Sequence, residues 1–162
     1  MQTYELSNGI KIPAVGFGTY KAALGSDGVE VIKAAIRQGY RHFDTASFYN
    51  NEELIAQAVS ETGIARKELF LTSKLWKADL GYETTHKAFA ESCKKLGTDY
   101  LDLYLIHWPR PLSDAKYTGN EWRELDALSW KAMEELYSEG KIKAIGLSNF
   151  LPHHINSLLE KA

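Results

Sequence analysis

The sequence lacks the features that would direct a chain to a membrane, an oxidising compartment or a nucleic acid. It has one cysteine in 162 residues, Cys93, so no internal disulfide can form and a reducing compartment is expected. Cys93 falls in a helical stretch with no base beside it, and packing is its expected role. No apolar run approaches the roughly 20 residues that span a bilayer. Met1 to Leu6 lack the basic-then-apolar pattern of a signal peptide. A formal net charge of −2 gives no reason to expect nucleic acid or an anionic membrane as a partner. Linkers and low-complexity segments are missing as well. What remains reads as a cytoplasmic chain, 44% apolar and 25% charged, with residues 1–162 forming a single domain large enough for a core.

The stretch that organises this chain is Leu101 to Pro109. Leu101 to Ile106 is almost continuously apolar, short and soon closed by proline, the pattern of a strand buried on both faces of a parallel sheet. His107 and Trp108 then stand where such a strand would surface. The same punctuation recurs three times: His42-Phe43-Asp44 ends in a carboxylate, Leu69 to Lys74 in an amine, and Ala144 to Asn149 in Ser-Asn. In barrels of alternating strands and helices, the carboxyl ends of the strands carry the chemistry.

Taken in order, residues 1–13 predict a hairpin around Ser7-Asn8-Gly9, since both central residues of Asn-Gly tolerate positive φ. It would cover the barrel floor. Residues 14–162 predict strand-helix units. Strands are expected at Ala14–Gly18, His42–Asp44, Phe70–Leu75, Leu101–Ile106 and Ala144–Leu147. Helices are expected from Asp27 to about Gln38, with Val31, Ile32, Ala35 and Ile36 inward, then over Asn51–Thr62, Tyr82–Leu96, a segment ending at Glu139, and from Pro152 onward. Gly39, Gly63, Gly97 and Gly140 follow the first four. A polar loop from Arg110 to about Asn120 precedes the fourth. The fold class is α/β, with parallel strands 1 to 5 of a (β/α)8 TIM barrel preceded by a β-hairpin. A closed barrel takes eight such units and about 250 residues, so this chain is expected to be the front part of one. Its unpaired edges and inner face would then favour self-association.

Asp44, Tyr49, Lys74 and His107 would all reach one face of such a sheet. Singly, each has a plain reading: a loop cap, a wet packing phenol, a solvated charge, a structural histidine. Together they make a proton-transfer set. A phenol with a pKa of about 10 is a weak acid at neutral pH. A nearby ammonium lowers that pKa, and a carboxylate holds the ammonium in place. His107 could orient a carbonyl oxygen. One histidine and one carboxylate are a poor metal set, and no metal is expected. Two tryptophans, Trp76 and Trp108, each just past a strand end, suit the wall of a small-molecule pocket.

Gly39-Tyr40-Arg41-His42-Phe43-Asp44-Thr45-Ala46 with Tyr49 and Asn51-Glu52 resembles the first signature of the aldo-keto reductase superfamily. Leu101 to Pro109 resembles its second, and Gly140 to Phe150 is similar to the stretch around its fifth strand. Within the superfamily the chain resembles the bacterial 2,5-diketogluconate and methylglyoxal reductase branch. The resemblance implies reduction of an aldehyde or ketone by a nicotinamide cofactor, usually NADPH and less often NADH. Tyr49 would be the general acid, Lys74 and Asp44 its tuning pair, and His107 the carbonyl-orienting group. Thr19, Tyr20 and Asp44 would line the nicotinamide end, and Ser148 and Asn149 would hold its carboxamide. Tyr20, Phe48, Trp76, His107 and Trp108 would form the substrate wall, with Phe150 a further candidate. The family's later strands, with the residues that grip the rest of the dinucleotide, have no counterpart here. A non-catalytic or truncated relative serving as a structural or binding subunit is the alternative.

Overall fold

The computed structural model describes residues 2–22, 27–109 and 121–161; the loop expected from Arg110 to about Asn120 lies outside them. The hairpin forms as expected, with β1 (Thr3–Glu5) antiparallel to β2 (Lys11–Pro13). Its turn is not the two-residue type that Asn-Gly suggests. Of the two, Gly9 alone has positive φ, +83°, and Leu6 N–H donates to Ile10 O at 2.8 Å across a longer loop. The Asn8 side chain docks the hairpin, its Nδ2 donating to Lys143 O at 2.9 Å.

Five parallel strands pair in chain order: β3 (Phe17–Gly18), β4 (His42–Asp44), β5 (Phe70–Leu75), β6 (Leu103–Ile106) and β7 (Ile145–Leu147). A helix follows each: α1 (Gly28–Arg37), α2 (Glu52–Thr62), α3 (Tyr82–Leu96), α4 (Glu121–Ser138) and α5 (Pro152–Leu159). Parallel neighbours require a crossover of this kind. Lys143 lies just before β7, so the hairpin tip rests at the amino-terminal end of the sheet, the floor side. Gly63 and Gly97 stop α2 and α3 in the left-handed conformation, at φ +68° and +63°.

Strand residues alternate between two faces. Phe43, Leu71, Leu75, Tyr104 and Ile106 face the helices and pack with Ile32 and Ile36 of α1, Ile55 and Ala58 of α2, Phe89 and Leu96 of α3, and Met133 and Leu136 of α4. This is the main core. Val29 rather than Val31 completes the inner face of α1; Val31 is 36% exposed. Both valines neighbour the Ile32–Ile36 stripe, so apolarity alone does not choose between them.

The opposite face carries His42, Asp44, Phe70, Thr72, Lys74, Leu103 and Leu105, by the same alternation. β5, at the centre of the arc, is buried along its whole length. β6 is not buried on both faces as expected: Tyr104 and Ile106 are buried, while Leu103 and Leu105 are half-buried. Helices cover one side of β6, and nothing among the described residues covers the other side as fully.

Candidate active site

Asp44 ends β4 and is in register with Thr72 of β5. Lys74, two residues further on, therefore lies on the same face and reaches diagonally back. Its Nζ is 2.5 Å from Asp44 Oδ1 and donates to Thr45 O at 2.8 Å. Lys74 is buried, and both contacts offset the hydration its side chain loses there. Tyr49 sits on a single 3₁₀ turn, Ser47–Tyr49. That turn is tied to the end of β5 by Ser47 Oγ donating to Lys74 O at 3.1 Å. The Tyr49 ring centre lies 5.2 Å from Lys74 Nζ and 5.7 Å from the His107 ring, edge to face. The His107 backbone is held from both sides: its N–H donates to Leu75 O at 3.0 Å, and its carbonyl accepts Asn149 Nδ2 at 2.8 Å. Asp44, Tyr49, Lys74 and His107 are thus gathered at the carboxyl end of the sheet.

Tyr49 and His107 open onto a cavity of about 350 Å³, lined also by Tyr20, Phe48, Trp76 and Trp108. Phe48 and Trp76 stack with ring centres 3.9 Å apart, and Tyr20 leans on Tyr49 at 4.9 Å. All five residues read from the sequence as substrate wall are in this lining. Phe150 is not; it packs edge-on against His154 at 5.9 Å.

Burial pushes the His107 imidazole down to about 4, with the Lys74 ammonium adding to the effect and Asp44 opposing it. The ring is therefore neutral at physiological pH. Its Nδ1 is buried with no hydrogen-bond partner, which leaves Nε2 to bind a ligand in the cavity. The Tyr49 phenol moves opposite to the expected direction. Burial raises it, and the charge of Asp44 raises it further. The physical reason is local. Asp44 directly neutralises the Lys74 charge, and Nζ makes no hydrogen bond to the Tyr49 hydroxyl.

The residues read as cofactor contacts divide. Ser148 and Asn149 follow β7 beside His107, and Asn149 takes the left-handed φ of +62°. Its Nδ2 also donates to Ser148 Oγ at 3.0 Å. Tyr20 is exposed at the cavity rim. Thr19 is fully buried; its Oγ1 bonds Asp44 O at 3.2 Å and faces Asn51 Oδ1 at 3.4 Å. Its side chain supports the site from beneath.

Sequence reasoning missed Asn51. Its buried amide donates to Thr19 O at 2.9 Å and accepts from Thr45 Oγ1 at 3.0 Å, fixing the segment whose carbonyl receives Lys74. The signal is in the first signature, where Asn51 stands two past Tyr49, but in the sequence Asn51 reads as the first residue of the second helix.

The sequence profile of the Aldo/keto reductase family matches residues 14–162. Over 160 residues the chain is 48% identical to the glyoxal reductase of Bacillus subtilis (strain 168), covering 99% of this chain and 54% of that protein. The crystal structure of an aldo/keto reductase from Brucella melitensis superposes with a TM-score of 0.88 at 43% identity, over 99% of this chain and 58% of that one. A Bombyx mori aldo-keto reductase in complex with NADP superposes with a TM-score of 0.83 at 36% identity, over 99% of this chain and 54% of that one. The chain spans about half the length of the curated relatives it matches.

Proposed function

The chain belongs to the aldo/keto reductase family, and from that premise we propose that it carries the proton-transfer half of a carbonyl reductase, converting aldehydes or ketones to alcohols with NADPH. The observation that carries this reading is the Asp44–Lys74 pair beneath Tyr49, beside a neutral His107 on an aromatic cavity. A cavity of that size suits a small substrate.

The bound cofactor supplies a hydride from its reduced nicotinamide to the carbonyl carbon. The remaining chemistry belongs to this chain. The neutral His107 donates from Nε2–H to the substrate oxygen and orients it. Tyr49 Oη–H gives up the proton that the developing alkoxide takes, and solvent restores it. Because burial keeps the phenol protonated, the acid is loaded when substrate arrives. Lys74 then counts most after the proton leaves, when its ammonium stabilises the phenolate. The wall of Phe48, Trp76 and Trp108 excludes water and selects apolar substituents.

The nicotinamide end of the cofactor fits what lies beside His107. Both Asn149 amide hydrogen bonds are made to protein, which leaves its Oδ1 and the Ser148 hydroxyl to meet a carboxamide. Thr19 would act through Asp44. NADPH rather than NADH is favoured by the Bombyx mori neighbour solved with NADP. Among the described residues no group of three or more His, Cys, Asp or Glu is disposed to hold a metal ion.

The test is aldehyde-dependent oxidation of NADPH by the 162-residue chain. Tyr49→Phe is expected to cut turnover by about a hundredfold or more with secondary structure unchanged. Near-normal turnover in that variant would remove Tyr49 from the role.

A further inference from the structure

Glu52 stands in the signature stretch that carries Tyr49, yet the proton-transfer chemistry leaves it unused. It is the first residue of α2 and only 2% exposed. Burying a carboxyl costs stability that a well-packed apolar side chain would not. What it bonds shows what it holds. One carboxyl oxygen accepts from Ser73 Oγ at 2.6 Å. Burial raises the carboxyl, and Ser73, the buried Ser92 hydroxyl of α3 and the Lys95 charge oppose that rise.

The partner residue, Ser73, immediately precedes Lys74 in β5. By strand alternation its side chain points into the helix layer with Leu71 and Leu75, while Lys74 points to the opposite face. The Glu52–Ser73 bond therefore lies directly behind the Lys74 backbone. On the other side of Tyr49, Ser47 Oγ donates to the Lys74 carbonyl at 3.1 Å. The segment 47–52, with Tyr49 inside it, is thus tied at both ends to successive residues of β5. Between the ties, Asn51 bonds Thr19 O and Thr45 Oγ1, and Thr45 O receives Lys74 Nζ. The Asn51 side chain makes no capping bond to α2, so the start of that helix is anchored to β5 through Glu52.

We propose that Glu52 is a positioning residue for the Tyr49–Lys74 pair: its bond to Ser73 closes the ring of contacts that holds the Tyr49 ring against the Lys74 ammonium. The inference rests on the reading of that pair as the proton-transfer couple. With both ties in place the ring centre stands 5.2 Å from Nζ. Without Glu52 the segment would pivot about the Ser47 bond and carry the phenol away from its ammonium. The stabilisation that an ammonium gives a phenolate falls with distance. A displacement of about 1 Å at such a site costs about a hundredfold in rate.

The measurement is the NOE between the Tyr49 ring protons and the Lys74 ε-methylene in the 162-residue chain. It is paired with hydrogen exchange of the Leu71 amide, which donates to Asp102 nearer the amino-terminal end of β5. Ser73→Ala and Glu52→Ala are each expected to lose the NOE while Leu71 keeps its protection. Glu52→Gln, which retains an acceptor oxygen for Ser73, is expected to keep it. Absence of the NOE from the parent chain, or its persistence in Ser73→Ala, would overturn the inference. So would a loss that comes only with lost Leu71 protection, since Glu52 would then hold the fold and not the site. Ser73→Ala removes a single oxygen and answers the question even if Glu52→Ala does not fold. No substrate enters the measurement, so a parent chain that shows the NOE but turns over no aldehyde would count against the reductase reading alone.

Discussion

At the scale of single residues, the site is governed by one ammonium shared among three neighbours. Lys74 is bound to Asp44, lies beneath Tyr49 and acts on His107 through space. The sequence reading expects the ammonium to lower the Tyr49 phenol, whereas burial raises it. The types and spacing of Asp44, Tyr49 and Lys74 are visible in the chain; the depth of burial that raises the phenol is not. Lys74→Met tests the electrostatics without recourse to turnover. Removing the ammonium takes away a charge that disfavours imidazolium and frees the Asp44 carboxylate that favours it. The His107 pKa should rise from about 4 toward its ordinary value, read from the titration of its ring protons by NMR. A value that stays near 4 would mean that burial alone holds it there. In the parent protein the linkage has a definite sign. His107 is harder to protonate folded than unfolded, so its contribution to stability is complete above about pH 6.5 and is lost as pH falls toward 4.

At the scale of elements, β5 and α3 were legible to the residue, because Phe70-Leu71 and Leu75 bracket the strand and a glycine stop marks the end of the helix. The strands β3 and β7 are shorter than their apolar runs, since hydrogen-bond pairing rather than apolarity decides where a strand ends. Less legible were polar residues folded into the helix layer. Asp126 of α4 is 1% exposed, neither carboxylate oxygen has a partner, and burial pushes its carboxyl up to about 8. In sequence it is one more acid on an acidic helix. Its folded-state pKa lies above the unfolded value of about 3.9, so the folded chain binds the proton more tightly. The associated stability is present in acid and is lost as pH rises through 8. Asp126→Asn keeps the shape and removes the titration. Its stability relative to the parent should therefore improve between about pH 5 and about pH 9, by an amount on the order of a few kcal/mol, measured by urea unfolding at both. A difference that does not change with pH would show that Asp126 is hydrated or paired in solution.

At the scale of the whole molecule, the sheet is an arc whose outer strands, β3 and β7, each pair on one side among the described residues. The expectation of a bare apolar inner face holds only in part. His42, Asp44, Thr72 and Lys74 make much of that face polar, with His42 bonded to Thr72 at 3.0 Å, so it tolerates water better than a purely apolar row would. The apolar surface lies elsewhere. Leu151, just ahead of α5, and Ile155 and Leu159 within it are 56%, 38% and 68% exposed, and the spacing of four puts Ile155 and Leu159 on one side of the helix. This stripe follows directly from the unpaired strand β7. An open strand edge next to an apolar helix face is the combination that drives chains together. The 162-residue chain in isolation is therefore expected to self-associate, seen by size-exclusion chromatography with mass detection as a species heavier than one chain. Ile155→Glu with Leu159→Glu should shift it toward a single chain while the core, which uses neither residue, stays folded. A stable monomer of the parent chain would mean that the edge of β7 is protected by its own twist and shortness. The charged pair would then have nothing to disperse.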